Sequence, residues 1–204
     1  MAASFLEIET KFLVDDLEEI ELRLKFLEAQ LLRPRVFETN YRFDTKDHQL
    51  TSKSKVLRLR QDSAQWVTFK EPGPLINGVQ IRNEIEFSIS DILAARTFLE
   101  AIGFEVFQTY EKFRTVYSLK YSRIILDELP IGNFVEIEGT DIQSLERSAI
   151  DLNLKWELKI DSSYLTIYNN ICQLKGIKQD FLSFNNNDVD NSFLKHLNIF
   201  PADQ

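Results

Sequence analysis

The sequence predicts an α+β protein: a closed, eight-stranded antiparallel β-barrel that forms a tunnel, with a charged lumen and helices packed outside. Three observations lead there. Eight stretches read as strands, and links such as 62–64 and 119–122 are short enough for hairpins. Charged and apolar residues alternate in five of them: Glu7-Ile8-Glu9-Thr10-Lys11, Arg58-Leu59-Arg60, Glu84-Ile85-Glu86, Lys112-Phe113-Arg114 and Glu136-Ile137-Glu138. Residues two apart on a strand share a face, so each segment gathers its charges on one side. An open sheet of this size would leave two edges to protect, and closure removes both. The charged faces then line the inside, and the apolar faces lie outside beneath helices or a partner.

The first strand reads as 5–13. Asp15 or Asp16 then caps a helix running to Gln30, with Leu17, Ile20, Leu24 and Leu27 on its apolar side. Strands follow near 34–44, 55–61 and 65–71, and Pro72-Gly73-Pro74 and Asn77-Gly78 punctuate the loop after them. The strand 79–89 leads to Ser90 or Asp91, which starts a helix that Gly103 stops. Strands at 104–119 and 122–128 come next, and Pro130 to Asn133 turn into a strand at 134–139. Helices cover 141–152 and 161–174, the latter capped by Asp161. Further on, Asn185-Asn186-Asn187 reads as a loop and Asn191 to Leu197 as one short helix. This divides the chain into a tunnel domain, 1–175, and an extension, 176–204, that covers a tunnel mouth or the outer surface or mediates dimer contacts.

The bulk composition narrows the function classes. A chain of 204 residues, 44% hydrophobic and 27% charged, suits a soluble domain with a sizeable core. No apolar run approaches the roughly 20 residues that a membrane span needs. Met1 to Phe12 lacks a basic segment followed by an apolar stretch, so no secretory signal is expected. Cys172 is the only cysteine, which rules out an intramolecular disulfide and fits a cytoplasmic location. The net charge of −8 argues against nucleic acid or an anionic membrane as partner, though it leaves room for a local basic pocket. A monomer or a homodimer is expected. His48 and His196 form no cluster in the sequence, and Cys172, Phe98, Leu99 and Ile102 read as helix packing.

The chemistry lies in the predicted lumen. Glu7, Glu9 and Lys11 share a face, as do Arg58 and Arg60, Arg82, Glu84 and Glu86, Lys112 and Arg114, and Glu136 and Glu138. Lys70 aligns with Trp66 and Thr68, Asp127 follows an apolar run, and Arg42 shares the parity of Asn40 and Asp44. Leaving Arg42 aside, seven bases and seven acids make the lumen near neutral. Unpaired buried charge is very costly, so such a hollow stays wet, pairs internally or binds ions. Carboxylates without nearby Cys or His suit hard, oxygen-loving cations, Mg²⁺ or Mn²⁺. Arg as a planar fork and Lys as a point charge suit phosphate oxygens. Together they describe a site for a small molecule bearing a multiply charged phosphate chain, with its metal. Singly, each motif is bland: E-x-E or R-x-R on a strand is most often a solvated sheet face. An exposed sheet explains the alternation, but not the segregation into acid pairs and base pairs.

The residues also resemble a known family. Glu7-Ile8-Glu9-Thr10-Lys11 is similar to the E-x-E-x-K signature of the CYTH superfamily, the triphosphate tunnel metalloenzymes. Leu126-Asp127-Glu128, followed by Gly132 to Gly139 with Glu136-Ile137-Glu138, resembles its second strong block. Between them Tyr41 to Thr45, Leu57 to Arg60, Phe69-Lys70, Arg82 to Glu86 and Lys112-x-Arg114 fall in the family's order, and Ser163-Tyr164 follows in a late helix. The resemblance covers roughly 5–170. It implies a divalent-metal-dependent triphosphate-processing enzyme. The first expectation is a phosphohydrolase acting on tripolyphosphate, thiamine triphosphate or a nucleoside triphosphate. The alternatives are a class IV-type adenylate cyclase and a non-catalytic nucleotide- or polyphosphate-binding module. By motif, Lys11, Arg58, Arg60, Lys70, Lys112 and Arg114 hold phosphates, while Lys11, Glu136 and Glu138 are central to catalysis. Glu7, Glu9, Glu136 and Glu138 lead the metal ligands, with Asp127, Glu84 and Glu86 completing or supporting the shell; Glu84 has the alternative of pairing with a lumen base. Met1 to Leu6 holds no histidine, a departure from the cyclase branch.

Overall fold

The computed structural model describes residues 5–178, 180–185 and 189–204. The leader Met1–Ser4 and two residues of the expected asparagine loop, Asn186 and Asn187, lie outside the described residues. Eight strands close into a ring: β1 (Phe5–Val14), β2 (Gln30–Asp44), β3 (Val56–Gln61), β4 (Gln65–Lys70), β6 (Val79–Ser88), β7 (Glu105–Leu119), β8 (Ser122–Leu129) and β9 (Gly132–Glu138). Two short strands, β5 (Leu75–Ile76) and β10 (Phe181–Leu182), add to β6 and β7. Around the ring the order is β1-β9-β8-β7-β2-β3-β4-β6, and β6 pairs back onto β1, with Glu7 opposite Arg82. Every pairing within the ring is antiparallel. The predicted α+β tunnel fold is therefore present.

The turns follow from their residues. Asn77 and Gly78 both have positive φ, 52° and 77°, and make the two-residue turn that folds β5 onto β6. That short strand lies in what the sequence reads as loop. β2 starts earlier than expected. Pro34 lacks an amide hydrogen, but it falls where the β2–β7 register shifts between Arg33 and Val36, so the ladder loses no bond there.

The helices explain the outer apolar faces. Helix α1 (Leu17–Phe26) is capped by Asp16, whose carboxylate accepts from the Glu18 and Glu19 amides. It ends earlier than Gln30 because Glu28 turns to φ 57° and the chain reverses into β2. Helix α2 (Ile92–Ala101) is capped by Asp91 and followed by Gly103 at φ 96°, while α3 (Ile142–Asp151) carries an Asp141–Ser144 capping box. Ile20 and Leu24 of α1 and Leu145 and Ala149 of α3 pack on Phe12, Ile124, Leu126, Val135 and Ile137 from the outer face of β1, β8 and β9. Ile92 and Leu99 of α2 cover Phe43, Leu57 and Leu59. No helix among the described residues is long and apolar enough to cross a membrane.

Helix α4 (Tyr164–Lys175) is placed differently. It packs on Leu13, Tyr110, Leu129 and Phe134. Leu13, Tyr110 and Phe134 share strand parity with Lys11, Lys112 and Glu136, so the inward face turns from charged to apolar beneath this helix. The expected Asp161 cap is corrected: Ser163 Oγ accepts from the Thr166 amide at 3.1 Å. Ile160 is still bridged to Lys11, so the chain is extended there and Asp161 lies too early to reach the first free amides. The C-terminal residues return to the same region. Asn191–Leu197 is a 3-10 helix with Leu194 buried against α4's cluster. Pro201 bridges Leu13, and the Asp203 carboxylate accepts from the Asp15 and Asp16 amides.

Candidate active site

The ring encloses a cavity of about 700 Å³. Twelve of the thirteen site residues expected from the sequence line it: Glu7, Glu9, Lys11, Arg58, Arg60, Lys70, Glu84, Glu86, Lys112, Arg114, Glu136 and Glu138. The register explains their meeting. Glu9 lies opposite Glu138 and Lys11 opposite Glu136 across β1–β9, Lys70 opposite Glu84 across β4–β6, and Arg114 opposite Asp127 across β7–β8. With strand parity strictly two, one inward residue on each strand sends its whole charged set inward. Asp127 is the exception. It is wholly buried behind the lining, where it takes Lys112 at 2.9 Å, Arg114 through both oxygens and the Tyr164 hydroxyl at 3.0 Å.

The carboxylates fall into two groups. Oxygens of Glu7, Glu9 and Glu138 all lie within 4.8 Å of one another. Burial, reinforced by Glu7 and Glu9 and only partly opposed by Arg123, pushes Glu138 up to about 7. Burial also raises Glu7; Lys70 opposes this, and Glu84 adds to it. Such crowded acids invite a cation. Here two bases serve: Lys70 donates to both Glu7 oxygens at 2.6 Å, and Arg82 donates to Glu9 at 2.5 Å. Three convergent carboxylates without sulfur or imidazole are the donor set of a hard divalent ion, so these residues fit Mg²⁺ or Mn²⁺.

The remaining acids are held by bases. Burial would raise Glu136, but Arg114 at 2.7 Å, Lys11 at 3.8 Å and Lys112 outweigh it and keep the carboxyl well below the usual range. Glu86, despite burial, is likewise held low by Arg60 and Arg58, with Thr68 donating at 2.7 Å. Glu84 meets Lys70 at 3.2 Å. Conversely, burial lowers the pKa of Lys70 less than Glu9, Glu7 and Glu84 raise it. Lys70, Arg58 and Arg114 all stay charged.

The structure adds residues that sequence reasoning assigned no role. Ten bases line the cavity against six acids, because Arg33, Arg42 and Arg123 join the seven expected bases and Asp127 lies behind the lining. The near-neutral lumen expected from the sequence is thus corrected to a basic one, inside an acidic protein. Glu38 is fully buried behind Lys112 and Arg33. Burial opposes its charge, but Lys112, Arg114, Arg60 and Arg58 bring it down to about 2. Its parity with Asn40 and Arg42, inside the expected strand 34–44, carried the signal. Tyr164, part of the late-helix motif, lies beneath Lys11 and Lys112, with both ammonium groups about 5.5 Å from its ring centroid.

The fold has counterparts among known proteins. The family pattern described as the CYTH domain matches residues 6–164. The chain belongs to the CYTH family. Among CYTH relatives, a protein of Methanocaldococcus jannaschii, provisionally named an adenylate cyclase, is 29% identical over 74% of this chain and 81% of its own. A Pyrococcus horikoshii protein of known structure superposes with a TM-score of 0.68 at 25% identity, covering 78% of this chain and 98% of that one. A Hippeastrum protein, provisionally an adenylyl cyclase and described as having a dominant triphosphatase activity, shares the fold with a TM-score of 0.59. It is 19% identical, with 85% of this chain and 97% of that one covered.

Proposed function

We propose that this CYTH protein is a divalent-metal-dependent triphosphate phosphohydrolase that releases orthophosphate. One observation carries the reading: the Glu7–Glu9–Glu138 carboxylate cluster opens on the same cavity as ten bases, in a chain of net charge −8. A basic hollow in an acidic protein makes physical sense only if its ligand is a compact polyanion.

Each residue has a task in this reading. Glu7, Glu9 and Glu138 hold Mg²⁺ or Mn²⁺. The ion, when bound, supplies Lewis-acid polarisation of a phosphoryl oxygen and an acidified water. Lys11, Arg58, Arg60, Lys70, Lys112 and Arg114 bind non-bridging oxygens and offset the charge that develops as the phosphoryl group transfers. Lys70, which now donates to Glu7, would be free for this where Glu7 held the ion. Glu136 orients Lys11 and Arg114, and would be a metal ligand only without its bond to Arg114. Asp127 from behind the lining, and Glu84 and Glu86 within it, fix the bases in place. Residues 1–175 form the working tunnel domain, and 176–204 brace the end under α4.

Cyclisation is the second reading, favoured by the name given to the archaeal relative. The same cradle would present the α-phosphorus to the ribose 3′-hydroxyl in place of water. The deciding assay offers tripolyphosphate, thiamine triphosphate and ATP, each with and without metal, and identifies products chromatographically. Orthophosphate release supports hydrolysis, and cyclic AMP with pyrophosphate supports cyclisation. Metal-dependent binding without turnover would leave a non-catalytic sensor, and no metal-dependent turnover or binding would end the proposal.

A further inference from the structure

Of the ten bases lining the cavity, nine have a carboxylate oxygen within 4 Å. Arg42 has none among the described residues. Its side chain is partly buried, and its Nε, shielded from solvent, has no hydrogen-bond partner. The obvious neighbours are otherwise engaged. Gln108, opposite Arg42 on β7, donates to Asn169 at 2.6 Å. The Asp44 carboxylate accepts from the Thr45, Leu50 and Thr51 amides. On the other side Arg42 faces Arg58, a second guanidinium, which donates to the Tyr110 hydroxyl at 3.3 Å. Phe107 lies with its ring centroid 5.7 Å from the Arg42 guanidinium. Burial pulls the Arg42 pKa down; Tyr110 opposes this, and Arg58 and Arg82 add to it.

A partly buried guanidinium beside another, with no acid of its own among the described residues, is costly unless a ligand supplies the missing charge. We propose that Arg42 and Arg58 form a subsite for a terminal phosphoryl group, the dianionic end of a linear polyphosphate chain. The inference rests on reading the lumen as a triphosphate site and specifies which part of the substrate this corner takes. A terminal phosphoryl carries nearly two charges at neutral pH, whereas an internal one carries a single charge. The former brings more charge to two adjacent guanidiniums of which only Arg58 has a carboxylate neighbour, Glu86 at 3.5 Å, and it offers enough oxygens for both forks. The subsite therefore selects a chain with a free phosphoryl end there over a cyclic or doubly esterified one.

The test is calorimetric titration of the full chain with linear tripolyphosphate and with cyclic trimetaphosphate, which has no terminal phosphoryl. Titrations run in EDTA and again with Mg²⁺, on wild type, Arg42→Gln and Arg42→Lys, with melting temperatures alongside. Arg42→Gln should weaken tripolyphosphate roughly ten- to a hundredfold and trimetaphosphate less than about twofold, with Arg42→Lys recovering part of the loss. The melting temperature of Arg42→Gln should match or exceed wild type, because no acid loses a partner. Equal losses for the two anions, or no loss for either, would overturn the subsite while leaving the triphosphate reading intact. A lower melting temperature with unchanged affinities would also overturn it, assigning Arg42 to structure. A wild-type chain that binds neither anion in either buffer would overturn the triphosphate reading itself, and this subsite with it.

Discussion

Glu138 and Arg58 sit in one cavity and should fail in different ways when altered. Glu138→Gln removes one oxygen ligand of the proposed ion, so turnover should fall roughly a hundredfold with little change in KM. Arg58→Ala removes a phosphate contact and should mainly raise KM, roughly ten- to a hundredfold. Steady-state kinetics on both variants separates the roles, and unchanged kinetics in both would displace the site. Protonation gives a second handle. Glu138 titrates at about 7, so a proton competes with the metal below that pH. Apparent Mg²⁺ affinity should rise with pH through about 7 and then level; a flat profile contradicts carboxylate ligation. Glu38 behaves in the opposite sense. Its folded pKa, about 2, lies below the ordinary 4.5, so its stabilising contribution is complete above 4.5 and is lost as pH falls towards 2. The stability difference between wild type and Glu38→Gln in urea should therefore shrink by ~3 kcal/mol between those limits. A pH-independent difference would mean that Glu38 is not held by the lumen bases.

At the level of elements, the strands were more legible than the ends of helices. Alternation is local: Glu136-Ile137-Glu138 states its own two faces, whichever strand pairs with it. A cap depends on where the preceding strand lets go, and so Asp161 was chosen where Ser163 serves, because the Lys11–Ile160 bridge is invisible in sequence. β5 and the early start of β2 were missed for a related reason: proline and glycine read as breaks, yet a bulge or a two-residue turn accommodates them. Helix α1 shows the energetics of the outer layer. Leu24 is fully buried between α1 and the barrel wall, so Leu24→Ala should cost about 2–5 kcal/mol in chemical denaturation. A loss under about 1 kcal/mol would mean that α1 is not a working part of the outer core.

On the scale of the whole molecule, the barrel is inverted relative to a small barrel with an apolar interior. The hydrophobic driving force lies outside, between the wall and helices α1 to α3, leaving the inside free for charge. That arrangement makes the exterior layer and the α4 end responsible for stability. The C-terminal residues contribute Leu182, Val189, Leu194 and Ala202, all buried. Truncation after residue 175 should consequently lower the melting temperature by at least about 10 °C while leaving the strand signature in circular dichroism. An unchanged melting temperature would mean that the segment does not brace the tunnel.

The sequence by itself determined the α+β class, the eight strands, the inward direction of the charged faces and most of the charged residues that line the cavity. These follow from local rules: strand parity, turn residues and the cost of burying unpaired charge. The tertiary structure alone decided which acids stand together and which are neutralised. Glu7, Glu9 and Glu138 converge from β1 and β9, while Glu136 and Asp127, on equally acidic motifs, are tied to bases. It also left Arg42 without an acid among the described residues. Pairing across a closed ring depends on the register between strands distant in sequence, and no local pattern encodes that register.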